Sequence, residues 1–167
     1  MSKKLLRNNM TLELVKKAIE KIDNKYFINI GAYDLSIEDW KNLIAYLNDT
    51  YKIVFKEYVS NQEYEKINYE SLLSFWKGDT ENGYMAVIDL ETILINCYFN
   101  GINDLDFDVI YNDIMDDGNL NKIINFVSSM SNIIDKPFYL EEDDYGRENK
   151  LVEIYKNKVL IIDRNNS

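Results

Sequence analysis

Residues 104–109 alternate strictly between aspartate and apolar side chains, in the order Asp104-Leu105-Asp106-Phe107-Asp108-Val109. Successive side chains of a β-strand point to opposite faces of its sheet. The alternation therefore predicts a half-buried strand that places leucine, phenylalanine and valine in the core and its aspartates on the solvent side.

The clearest helix signal lies at residues 35–47. Ser36 followed by Asp39 matches the spacing of a capping box, in which two side chains satisfy the free backbone N–H groups at a helix start. Leu35 and Trp40 occupy the hydrophobic-staple positions around that cap. The pattern predicts a helix that begins after Ser36 and has an inward face of Trp40, Leu43, Ile44 and Leu47.

Hydrophobic periodicity divides the rest of the chain into further helices and short strands. Helices are predicted over residues 11–22, 69–77 and 120–134, and strands over residues 26–30, 51–59, 84–88, 138–140, 151–155 and 159–162. Residues 90–99 have helical spacing but the β-branched and aromatic content of a strand, and we favour the strand. A tight turn at residues 156–158 is predicted to join the last two strands.

Strands interrupted by helices, with tight hairpins, favour an α+β fold over a doubly wound sheet. The length of 167 residues suits one domain, and no proline- or glycine-rich linker divides the chain. We expect a single domain over residues 10–163, with a mostly antiparallel sheet packed by three to four helices. Residues 1–9 and 164–167 are expected to be flexible.

The net charge of the chain is concentrated in one stretch. The sequence has 29 acidic residues, 19 basic residues and no histidine, for a net charge of -10. Residues 78–121 contain no lysine or arginine but hold ten acidic residues, so the remainder of the chain is neutral. Because nucleic acid is itself a polyanion, we expect no direct nucleic-acid ligand.

Within that stretch, aspartates are interleaved with apolar and aromatic side chains. Such crowding destabilises the fold through repulsion that a basic protein partner would relieve, and tyrosine supplies the rigid contact area of interface hot spots. The predicted partner-binding residues are Asp104, Asp106, Asp108, Tyr111, Asp113, Asp116 and Asp117. Two alternatives stay open, a merely solvated acidic face and a weak cation site at Asp104, Asp106, Asp116 and Asp117.

The sequence contains no recognisable catalytic or cofactor-binding motif. It lacks a glycine-rich phosphate loop, zinc-ligand spacing and a nucleophile motif, and the commonest general base, histidine, is absent. The single cysteine, Cys97, lies in an apolar run and is expected to be buried, which suits a reducing cytosol. We therefore expect a non-enzymatic cytoplasmic protein with no cofactor, no metal and no membrane segment.

The acidic, tyrosine-containing stretch Asp104 to Asp117, followed by the helix and hairpin from Leu120 to Ile162, resembles the small cytosolic immunity proteins of polymorphic and contact-dependent inhibition toxin systems. The resemblance implies a protein that binds one toxin domain tightly and blocks its active site. A basic nuclease toxin would match the charge. Two other functions fit the same charge map: a phage-type nucleic-acid mimic that inhibits a host protein, and a structural domain with a solvated acidic face.

Overall fold

The structure, a computed structural model, describes residues 3–142 and 149–162. The chain divides into two compact units. The central unit is Gly31–Asp108, and the terminal unit combines Met1–Ile30 with Val109–Ser167. The central unit is therefore inserted between two parts of the terminal unit. The expected extent of one domain, residues 10–163, stays a prediction, and residues 164–167 lie outside the described residues.

The described residues form five helices and nine strands. The helices are α1 (Lys3–Ile19), α2 (Ile37–Thr50), α3 (Tyr69–Trp76), α4 (Tyr111–Ile114) and α5 (Asp117–Ile134). The strands are β1 (Phe27–Ala32), β2 (Lys52–Glu57), β3 (Glu63–Tyr64), β4 (Tyr84–Asp89), β5 (Leu94–Tyr98), β6 (Leu105–Ile110), β7 (Phe138–Glu142), β8 (Lys150–Tyr155) and β9 (Lys158–Ile161). The fold class is α+β, as predicted, with four longer helices and the four-residue α4.

In the central unit, five strands are adjacent in the order β3-β2-β4-β5-β6, and each neighbouring pair is antiparallel. Buried residues alternate with more exposed ones along β4, β5 and β6. Phe55 of β2, Ile88 of β4, Cys97 of β5 and Phe107 of β6 are buried, so one face of these strands forms the core of the unit.

Helix α2 covers that core as its sequence predicts. The Asp39 backbone N–H donates to Ser36 Oγ at 3.1 Å and the Ser36 N–H donates to the Asp39 carboxylate at 2.8 Å, which confirms the capping box. The predicted inward face is buried throughout: Trp40, Leu43, Ile44 and Leu47. The Trp40 ring packs against Trp76 of α3, with the ring centroids 5.1 Å apart.

Strands β4 and β5 form a hairpin, which confirms the strand favoured for residues 90–99 in its carboxyl-terminal half. Residues 90–93 form the turn, where the Leu90 N–H donates to the Ile93 carbonyl at 3.0 Å and the Glu91 N–H donates to the Asp89 carboxylate at 2.6 Å. The apparent helical repeat combines residues of both faces, since it includes Leu94, which is 55% exposed. The buried residues alternate from Ile93 onward, as in a strand: Leu90, Ile93, Ile95, Cys97 and Phe99.

In the terminal unit, β1, β7, β8 and β9 are adjacent in that order, and β8 pairs antiparallel with both β7 and β9. The Ser131 side chain of α5 is buried, and its hydroxyl makes two hydrogen bonds. Its hydroxyl donates to the Lys136 carbonyl at 2.6 Å and accepts from the Lys156 N–H at 2.8 Å. Ser131 thereby holds the end of α5 against the tight turn between β8 and β9, which lies where it was predicted.

Two helices begin earlier than the hydrophobic periodicity predicts. Helix α1 begins at Lys3 instead of residue 11, so residues 3–9, expected to be a flexible terminus, belong to a helix. Helix α5 begins at Asp117 instead of residue 120. In α5 the unpredicted first turn is polar and follows the Asp116 cap, whereas periodicity locates only residues that face a core.

Candidate interaction surface

The predicted partner-binding residues divide between the two units. Asp104, Asp106 and Asp108 belong to the central unit, whereas Tyr111, Asp113, Asp116 and Asp117 belong to the terminal unit. Each group therefore has its own local surroundings.

Asp106 and Asp108 lie on β6 with their side chains on the face opposite the core. Leu105, Phe107 and Val109 are buried, whereas both aspartates are half-buried. The predicted half-buried strand is therefore confirmed. The aspartates are less exposed to solvent than expected. Asp106 and Asp108 are half-buried, and only Asp104, which precedes the strand, is exposed.

The strand register shows which residues share a face with these aspartates. Tyr98 of β5 pairs with Asp106, and Asn96 pairs with Asp108. We call this side of the sheet the outer face. Its rows across the strands are Lys56-Met85-Tyr98-Asp106, Val54-Val87-Asn96-Asp108 and Lys52-Asp89-Leu94, all half-buried or exposed.

Uncharged donors orient both carboxylates at the β6 end of the outer face. The Asn96 side chain donates to Asp108 Oδ1 at 2.8 Å, and the Tyr98 hydroxyl also donates to Asp108. The Asn100 side chain donates to Asp106 Oδ2 at 3.4 Å. Asparagine and tyrosine donors carry no charge of their own, so these contacts fix the direction of the two carboxyl groups on the outer face.

The two aspartates also act on the ionisation of their neighbours. Burial raises the pKa of the Tyr98 hydroxyl, and the charge of Asp108 and the hydrogen bond to it raise this pKa further. Burial, followed by the charges of Asp106 and Asp108, raises the pKa of the Cys97 thiol well above its usual range. Cys97 is buried, as predicted, and its protonated thiol is a poor nucleophile. Burial is thus the main cause of both shifts, and the negative charges of the two aspartates add to it.

The aspartates of the terminal unit have local structural roles. Asp116 is the N-cap of α5, where its carboxylate accepts from the Asn119 N–H at 3.0 Å. Asp117 forms an ion pair with Lys16 of α1. Asp113 is half-buried, and its carbonyl accepts from the Asn119 side chain at 2.9 Å. A helix N-terminus carries a partial positive charge that stabilises nearby carboxylates. The position of these aspartates at the start of α5 is therefore explained without a partner protein.

Tyr111 exposes little surface for an interface residue. Its side chain is 8% exposed, and the Lys25 ammonium lies 5.7 Å from the centroid of its ring. Its backbone N–H donates to the Tyr26 carbonyl at 3.0 Å. The tyrosine that accompanies the outer aspartates is instead Tyr98, which sequence reasoning missed.

The missed residues of the outer face lie on β2, β4 and β5. Part of the signal was present in the sequence, because Met85, Val87 and Asp89 alternate with buried residues of β4. Alternation shows that such residues face away from the core. It does not show that they align with Asp106 and Asp108, since that depends on the pairing of strands distant in sequence.

In the part of the chain that the structure describes, no group of three or more cysteine, aspartate or glutamate side chains could hold a metal ion. This finding counts against the cation site considered for Asp104, Asp106, Asp116 and Asp117. Among residues 3–142 and 149–162, no helix has the length and apolar character needed to cross a bilayer.

No protein-family model and no curated protein matches the sequence. The fold is similar to that of a chain in the 1.75 Å crystal structure of the toxic C-terminal tip of CdiA from Pseudomonas aeruginosa in complex with immune protein. The TM-score is 0.51 at 11% sequence identity, and the match covers 77% of this chain and 94% of that one. At this identity the similarity concerns the fold, which this protein shares with a component of a toxin–immune-protein complex.

Proposed function

We propose that this protein is an immunity protein, which binds a toxin domain and neutralises it without catalysis. The observation that carries the proposal is the fold similarity to a chain from a complex of a toxic tip with an immune protein. A toxin neutralised inside the cell requires an inhibitor in the same compartment, so we also propose a cytoplasmic location.

The charge of the chain favours the immune role over the toxic one. A nuclease toxin needs a cationic surface to hold its polyanionic substrate and a general base to act on it. This chain has a net charge of -10 and no histidine. Its charge complements a basic toxin, and complementary charge increases the rate at which two proteins associate.

We place the contact on the outer face, around Asp106 and Asp108. These two carboxylates accept hydrogen bonds from asparagine side chains, and Tyr98 lies directly opposite Asp106 on the neighbouring strand. Val54 and Leu94 of the same face are 43% and 55% exposed, so apolar contact area accompanies the charges. A central apolar and aromatic area with charged neighbours is the usual composition of a protein interface.

Expression of the chain alone in a bacterium separates the two roles. An immunity protein leaves growth unchanged, whereas growth arrest would identify the toxic component and overturn the proposal. The partner is then identified by co-purification with the tagged chain from its native host and mass spectrometry. We expect the C-terminal domain of a secreted toxin encoded upstream, and a host protein that binds DNA or RNA would instead indicate a nucleic-acid mimic.

Co-expression with that toxin domain then tests neutralisation and its location. We expect the wild-type chain to restore growth and the double variant Asp106→Asn, Asp108→Asn to restore it poorly. The matched control is Asp79→Asn with Glu81→Gln, which removes the same charge from an exposed loop of the acidic stretch. Equal rescue by both double variants would move the contact away from the outer face, and failure of the wild-type chain to rescue would contradict the function.

A further inference from the structure

The central unit contains a pocket of about 600 Å³ at the β3 edge of its strands, on the face opposite the outer face. Phe55, Glu57 and Tyr84 line it, and they alternate along β2 and β4 with the outer-face residues Lys56 and Met85. The pocket is therefore a separate site from the proposed toxin contact. Its volume lies in the range of ligand-binding cavities.

Aromatic rings form the apolar part of this pocket. The rings of Phe55 and Tyr84 are stacked, with centroids 5.2 Å apart and an interplanar angle of 7°, and both side chains are buried. Tyr64 lies at the rim with its ring centroid 6.4 Å from that of Phe55, and its side chain is 47% exposed. An exposed tyrosine ring offers a face to a flat or cationic group.

The segment that closes the pocket is held by side-chain amides, so the pocket is formed before any ligand arrives. Asn48 of α2 donates to the Ile67 carbonyl at 2.9 Å and accepts from the Ile67 N–H at 2.8 Å. The Asn68 side chain then caps α3 by accepting from the Ser71 N–H at 3.0 Å. A preformed site loses little conformational entropy on binding.

Glu57 supplies an oriented carboxylate to the pocket. Its Oε1 accepts from the Tyr84 hydroxyl and from the Asn82 side chain, both at 3.3 Å, and its Oε2 accepts from the Ser60 hydroxyl. All three donors are uncharged, and a carboxylate has about four acceptor directions. The charged side chains that line the pocket are Glu57, Glu65 and Lys66, so its lining is negative overall.

We propose that this pocket binds an arginine side chain of a partner protein. The guanidinium would lie against the exposed ring of Tyr64 and donate to the Glu57 carboxylate. Arginine fits better than lysine because its planar group stacks on aromatic rings and donates in a fixed fork to a carboxylate. The volume exceeds that of one side chain, which leaves room for the residues beside the arginine. The site goes beyond the proposed function and does not depend on it.

The test is a titration of the full chain with Nα-acetylarginine methylamide, followed by amide chemical shifts. Nα-acetylcitrulline methylamide, which has nearly the same shape without the charge, is the matched control ligand. We expect the arginine compound to shift the resonances of Glu57, Tyr64 and Ile67 and to bind at least ~10-fold more tightly than the citrulline compound. Equal binding of the two compounds, or no binding of either at millimolar concentration, overturns the proposal.

Two variants locate the site. Glu57→Gln should remove the preference for arginine over citrulline, and Tyr64→Leu should weaken arginine binding severalfold. Tyr64 lies at the exposed rim, so its variant keeps the test valid if Glu57→Gln impairs folding. The control is Glu63→Gln, which removes a nearby charge outside the pocket lining. Wild-type binding by both Glu57→Gln and Tyr64→Leu overturns the proposal, whatever the outcome of the toxin experiments.

Discussion

The aspartates on β6 and those at the start of α5 are only a few residues apart in sequence, but they have different relations to the fold. Asp116 caps α5 and Asp117 forms an ion pair with Lys16, so both contribute to local structure. Asp106 and Asp108 accept hydrogen bonds from the side chains of asparagines on neighbouring segments, and they lie beside Tyr98 on an outward face. A strand has no positive terminus for a carboxylate to stabilise, whereas a helix does.

The difference shows how an acidic stretch should be interpreted. Carboxylates at a helix start are explained by capping and by the helix dipole, and they carry little information about partners. Carboxylates on a strand, next to an aromatic ring and opposite a core, have no such explanation. We therefore expect function to depend on the β6 group and stability on the α5 group.

The largest expected effect is on binding to the proposed toxin partner. Asp106→Asn with Asp108→Asn should weaken binding by about 2–5 kcal/mol for each carboxylate that is desolvated against a cation. Asp116→Asn with Asp117→Asn, an equal loss of charge, should leave the dissociation rate nearly unchanged. Surface plasmon resonance at several salt concentrations measures both, and the wild-type association rate should fall with salt because the attraction is screened beyond ~10 Å at 0.1 M. An equal loss of binding in the two double variants would show that the β6 and α5 aspartates do not differ in function.

A smaller effect is expected on stability, where the aspartates at the start of α5 should matter more than those of β6. Asp116→Ala should lower the free energy of unfolding by about 0.5–2 kcal/mol, because it leaves an N–H group at the start of α5 without its acceptor. Ser36→Ala, which removes the cap of α2, should cost a similar amount. Asp106→Asn with Asp108→Asn should change it by less than ~0.5 kcal/mol, because the amide oxygen of asparagine can still accept the hydrogen bonds from Asn96 and Asn100. Urea denaturation measures all three, and a larger loss from the β6 variant would show that its carboxylates serve the fold.

The smallest effect concerns the Lys16–Asp117 ion pair. The hydrogen bond that the Lys16 ammonium donates to the Asp117 carboxylate raises the pKa of Lys16 above its ordinary value of 10.5. The pair therefore stabilises the fold below pH 10.5, and this contribution is lost as the pH rises through the higher folded-state pKa. Because the Asp117 side chain is 67% exposed, solvent screening limits the contribution to about 0.2–1 kcal/mol.

Thermal melts of wild type and Lys16→Met between pH 8 and pH 11 test this prediction. The difference in Tm between the two proteins should shrink above pH 10.5, in the range where Lys16 loses its proton. A difference that stays constant across this range would show that the lysine acts through its aliphatic chain and not through its charge.

Much of the fold followed from short-range patterns. The cap at Ser36, the alternation on β6, the turn between β8 and β9 and the burial of Cys97 were all predicted, and the structure confirms each. Each of these features depends on side chains and backbone groups within a few residues of one another. The amino-terminal part of α1 and the polar first turn of α5 were not predicted, because periodicity identifies only residues that repeat on a core-facing stripe.

The candidate surface followed from the sequence only in part. The sequence identified Asp106 and Asp108 but grouped them with Asp116, Asp117 and Tyr111, because all five belong to one acid-rich stretch. It could not add Tyr98 or Asn96, which reach β6 through strand pairing. It also gave no indication of the pocket at Glu57, whose lining comes from α2, β2, β3, α3 and β4.

The sequence by itself thus determined the total charge, the cap of α2 and the inward and outward faces of the strands, because these features depend on composition or on residues close together in the chain. Only the tertiary structure decided which carboxylates stabilise the start of a helix and which lie on the outer face of the sheet beside an aromatic ring. The physical reason is that strand register joins residues far apart in sequence, and a shift of one residue would turn every outward side chain inward. The core contacts that prevent such a shift, including those of Phe107 and Cys97, form only when the whole central unit is folded.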